Sequence, residues 1–180
     1  MKELIPACTI VLLILLSACS KPGANNTPTG YWLIDSGRFN ANYTSRVDSV
    51  GYSILYGEGS IPSATQPNVN YIYIWFKTFP VKNGSYQIVP LDTWALPLTE
   101  NQLFISGITF DRPHDSCIGP WYWDASGFSS IYTWPWTPSD SAQVTVANGK
   151  ITVNIPETIT RFAGPCVEDS IPLTGIIRER

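Results

Sequence analysis

Beyond residue 30, apolar and polar positions alternate in short runs separated by turn residues, and no stretch keeps the 3.6-residue period of an amphipathic helix. The runs predict strands near Tyr31–Asp35, Arg38–Ser45, Ser49–Tyr56, Val69–Phe79, Ser85–Val89, Gln102–Phe110, Gly127–Thr133, Ala142–Ala147, Lys150–Ile155 and Leu173–Arg178. That many short strands point to an all-β domain. An antiparallel two-sheet β-sandwich is the expected architecture, with a closed β-barrel as the alternative.

Two stretches are locally explicit. In Gln143–Asn154 the Asn148-Gly149 pair tolerates the positive φ angles of a two-residue type I′ turn. A hairpin on that turn pairs Val146 with Ile151 and Val144 with Val153 on one face, leaving Thr145 and Thr152 on the other. In Val69–Phe79, Tyr71, Tyr73 and Trp75 alternate with Ile72, Ile74 and Phe76, so both faces are apolar and the strand should be central. The Ile and Phe side belongs in the core. The Tyr and Trp side either lies under a loop or forms an exposed platform.

The amino terminus carries an address. Lys2 precedes an apolar run to Leu16 that is too short for a comfortable membrane span, and small residues follow. The boundary Leu16-Ser17-Ala18-Cys19 resembles the lipobox of bacterial lipoproteins. The resemblance implies a signal peptide over residues 1–18, cleavage before Cys19 and lipid on its thiol and amino group. An ordinary secretory signal cut at the same small residues is the alternative. Residues 19–30 would then be the lipidated cysteine and a polar tether punctuated by Pro and Gly, with a single all-β domain over residues 31–180. Two or more acyl chains would hold such a protein stably on a membrane of the cell envelope. Ser20 is unlike the Asp that retains some lipoproteins in the inner membrane, which favours the outer one. Trp32–Phe39, Phe79–Tyr86 and Val144–Val153 together look like small β-sandwich lipoproteins of Bacteroidota, a resemblance that implies no activity.

Composition narrows the partners. Hydrophobic residues make up 44% of the 180-residue chain and charged ones 14%, against about 25% in ordinary soluble domains, so the chain is not disordered. The net charge of −3 comes without a basic cluster, which excludes nucleic acid as the expected partner. Cys117 and Cys166 remain after processing, and two cysteines outside the cytoplasm suggest a disulfide closing a loop of about 50 residues.

Candidate chemistry is thin. Asp111, His114 and Asp115 place two carboxylates beside the only histidine, an arrangement a hydrolase could use as a general base. Pro113 makes that segment a loop, and no metal-ligand spacing or cofactor fingerprint is present, so no metal or cofactor is expected. Residues 121–136 hold seven aromatics, of which Trp121, Trp123, Trp134 and Trp136 are the candidate ligand contacts, since flat amphipathic rings suit sugar faces or partner proteins. Burial of those rings under a covering loop is the competing reading. The expected function is a noncatalytic binding or structural module tethered to the envelope, its partner a glycan or an envelope protein. The alternative is a hydrolase using the Asp111/His114/Asp115 loop.

Overall fold

A computed structural model describes residues 28–34, 37–60, 69–90, 98–110, 121–125, 140–163 and 170–180. Ten strands run through them: β1 (Gly30–Ile34), β2 (Gly37–Ser49), β3 (Tyr52–Ser60), β4 (Asn70–Phe76), β5 (Gly84–Ile88), β6 (Gln102–Thr109), β7 (Trp121–Ala125), β8 (Ser141–Ala147), β9 (Lys150–Ala163) and β10 (Ser170–Arg178). They form one sheet, nine of them in the order β10-β1-β2-β3-β4-β6-β5-β8-β9 with β9 pairing back to β10 to close it, and the tenth, β7, between β6 and β9. The protein is all-β and the closed barrel is the architecture it takes. The sandwich fails because the first and last strands pair, Gly30 with Ile177 through Ile34 with Leu173, which leaves the sheet no free edge there.

The wall is forked. Near the start of β6, Gln102 and Leu103 pair in parallel with Gln87 and Ile88 of β5, and β5 pairs in turn with β8. Towards its end, Ser106–Thr109 pair with β7, which pairs directly with the last residues of β9. The barrel is therefore nine strands round at one level and eight at the other. Pro156 sits in β9 between the residues that pair with β8 and those that pair with β7, opposite a bulge against β10 between Leu173 and Gly175. Neither ladder needs its missing N–H there, so β9 runs on past the proline at which the sequence pattern ends the strand.

The hairpin forms in the expected register, with Asn148 and Gly149 at φ 53° and 74°. Val144, Ile151 and Val153 point inward and Thr145 is exposed. The β4 reading holds in its first half, because Ile72, Ile74 and Phe76 are fully buried. Trp32, Phe39, Leu55, Leu103 and Ile105 join them in one cluster that fills the barrel. Each such side chain contributes about 1.5–3 kcal/mol by leaving water.

Trp32 stacks on Phe39 at 5.4 Å between centroids, and a Cβ on Gly59 would come within 2.5 Å of its ring, so the close approach requires glycine. The Trp32 indole N–H is buried and has no hydrogen-bond partner among the described residues. Trp123 is 3% exposed, and its N–H donates to the buried Thr109 hydroxyl at 3.0 Å. Near the same level the Phe110 amide donates to the Asn70 side-chain oxygen at 2.8 Å, and the Thr160 hydroxyl to the Ile171 carbonyl at 2.7 Å.

The last residues lock the opposite end. The Thr44 hydroxyl donates to the Arg178 carbonyl at 2.8 Å and accepts from the Arg180 amide at 3.2 Å. Glu179 accepts from the Arg46 guanidinium at 2.8 Å and from the Ile151 amide at 2.9 Å. This short segment ties β2 to the foot of the β8–β9 hairpin.

Candidate binding face on the outer wall

Because side chains alternate across a strand, the residues between the core positions of β2, β3, β4, β6 and β7 all face outward, and the ladder brings them into rows. One row reads Tyr43, Glu58, Tyr71, Ile108, Tyr122. The next reads Ser45, Tyr56, Tyr73, Ser106, Asp124, and a third Val47, Ile54, Trp75, Phe104. Aromatic rings from neighbouring strands meet throughout. Tyr56 lies 5.8 Å from Tyr71 and 5.3 Å from Tyr73, Tyr73 meets Trp75 at 6.4 Å, and Trp75 stacks on Phe104 at 4.9 Å with planes 11° apart. Tyr43 and Phe110 extend the layer at its margins, each 6.5 Å from a neighbouring ring.

The wall dips over β6. Ser106 is small between Tyr73 and Asp124, so a groove of about 460 Å³ opens with Ser106, Gly107 and Ile108 as its floor. Tyr73 and Trp75 form one side of it, and Tyr122 and Asp124 the other. The Trp75 indole N–H donates to the Ser106 hydroxyl at 3.1 Å, which fixes the plane of that ring. On the inner side of the same strand, a Cβ on Gly107 would overlap the Trp123 ring, so glycine lets the indole pack directly beneath the groove.

Electrostatically the face is quiet. The Tyr56 hydroxyl donates to Glu58, and burial, with that bond second, pushes the Tyr56 phenol far above its ordinary range. Burial likewise raises Tyr73. Both phenols stay neutral under all ordinary conditions, and that of Tyr56 is the donor to Glu58. Among the described residues no three metal-binding side chains cluster.

No family model matches the chain, and neither a curated protein nor a solved structure does.

Of the tryptophans singled out from sequence as candidate ligand contacts, Trp123 is the one whose side chain is described, and it follows the reading that buries these rings, with its indole against the groove from beneath. It points into the barrel because it alternates with Tyr122, which is 55% exposed and takes its place on the surface. Trp121 begins β7, and nothing is described of its side chain. Trp134, Trp136, Asp111, His114, Asp115, Cys19, Cys117 and Cys166 lie outside the described residues, as does the strand expected at 127–133. The outward half of β4 is neither wholly covered nor a free platform: Tyr71, Tyr73 and Trp75 are half-buried among other rings. Tyr43, Phe104, Ser106 and Asp124 were not anticipated. The period-two pattern places each on the outer face of its strand, but only the register unites them.

Proposed function

We propose that this chain is an envelope lipoprotein, anchored through acyl chains on Cys19, whose barrel binds carbohydrate without transforming it. The groove over β6 carries the reading. Its sides are flat rings and its surface is almost wholly apolar, a surface that takes the apolar face of a sugar ring by stacking. The packed interior supports it too, since Trp32, Phe39 and the aliphatic cluster occupy the space in which other barrels hold a ligand. The barrel interior is filled by apolar side chains, whereas a barrel whose wall faces lipid keeps a polar interior, so membrane attachment is assigned to the tether.

The test is a glycan array probed with the chain from Ser20 onward. Retention of a glycan that is lost in Trp75→Ala and Tyr122→Ala, and kept in Thr145→Ala, is the expected result. An array with no retained glycan, or binding indifferent to both aromatic substitutions, overturns the reading. For the anchor, Cys19→Ser should move the protein from membrane to soluble fractions.

A further inference from the structure

The exposed aromatic side chains of the outer wall are not spread over it. Tyr43 at 48%, Phe110 at 41% and Tyr122 at 55% all lie along the margin formed by the first row and the residue after β6. Within that row, rings stand on every second strand: Tyr43 on β2, Tyr71 on β4, Tyr122 on β7. Neighbouring strands are about 4.8 Å apart, so successive rings repeat at about 10 Å or slightly more on the convex side. That spacing is about the length of two sugar rings joined end to end. Between the rings stand Glu58 and Ile108, and β9 continues the row with Ala163 beyond Tyr122. Glu58 is thus the one charged residue in the row, and it is negative. Arg161 is placed a row away, opposite Asp124.

We infer that the ligand is an extended, uncharged oligosaccharide lying across the strands from Tyr122 over Tyr71 to Tyr43, an inference that rests on the carbohydrate reading of the groove. The exposed rings of Tyr43 and Tyr122 would each receive a sugar, with the chain passing over the half-buried Tyr71 between them, and the groove would seat the end of the chain nearest Tyr122. Glu58, midway between two rings, disfavours polymers of uronic acids.

Calorimetric titration of the chain from Ser20 onward with a β-linked neutral ladder, from disaccharide to hexasaccharide, tests the path, and a uronic acid ladder of the same linkage tests the charge. Affinity should rise about tenfold along the neutral ladder and then level off. Tyr43→Ala should remove that rise, and Glu58→Gln should admit the uronate ladder. If the hexasaccharide binds no tighter than the disaccharide, or the rise survives Tyr43→Ala, the path is wrong while groove binding stands. Should uronates bind the unaltered protein as well as neutral sugars, the charge argument falls. If no member of either ladder binds, the path and the carbohydrate reading fail together.

Discussion

The β3–β4–β6 wall and the β8–β9–β10 wall are built alike on the inside and differently on the outside. Inward, both present aliphatic side chains: Leu55, Ile74 and Ile105 in one, Val144, Ile151 and Leu173 in the other, all essentially without solvent contact. Outward, the first carries Tyr56, Tyr73, Trp75 and Phe104, and the second Gln143, Thr145, Asn154 and Thr174. Folding a barrel in water asks only for the inward pattern, and the β8–β9–β10 wall meets that demand with mostly polar residues outside, although Ile159 and Ile176 also lie there. The aromatic layer therefore goes beyond what the inward pattern asks for. A contiguous layer of rings left part-exposed is the kind of surface that marks a contact site.

The sharpest way to break this comparison is inside the barrel. Ile74→Ala beneath the aromatic wall and Ile151→Ala beneath the polar one should each cost about 2–5 kcal/mol in urea unfolding. A much smaller cost for Ile74→Ala would mean that the contacts among the outer rings carry much of that wall's stability. Next comes the pair of buried indoles. Trp123→Phe leaves the Thr109 hydroxyl without its donor and should cost about 1–3 kcal/mol from that loss, whereas Trp32→Phe removes an N–H that has no partner among the described residues and should lack this penalty. Equal losses in the two variants would contradict the assignment.

Alkaline titration separates the walls without touching the core. The raised phenols of Tyr56 and Tyr73 mean that the unfolded chain gives up these protons first. Their stabilising contribution is whole below the ordinary tyrosine value near 10 and drains away as pH climbs above it. Unfolding free energy should hold level from neutrality and fall beyond about pH 10, and Tyr56→Phe should make that fall shallower. A steeper fall in the variant contradicts the assignment. The smallest effect belongs to the polar wall: Thr145→Ala and Thr152→Ala should stay within about 0.5 kcal/mol of the unaltered protein and leave binding unchanged.

The sequence made the hairpin at Asn148-Gly149 legible because turn chemistry and alternation agree over a dozen neighbouring residues. It made the two-sided character of β4 legible for the same local reason. Barrel closure was not, since a sandwich and a barrel need the same strands and differ in whether Gly30 meets Ile177, a pairing that no local pattern encodes. β7 went unmarked because Trp121-Tyr122-Trp123 reads as an undivided aromatic cluster. Only a neighbour on each side sorts it into Tyr122 out and Trp123 in. The binding face was half visible in Tyr71, Tyr73 and Trp75, and its other members come from residues as distant as Tyr43 and Asp124.

The pairing of β1 with β10 also sets the timing of folding. A ribosome, or any machinery that threads the chain from its amino terminus, delivers β1 first and its partner last, together with the Glu179 and Arg180 contacts that fasten the seam. Until β10 has emerged the cylinder has an open side, and a barrel that cannot close early is easy to keep unfolded in transit.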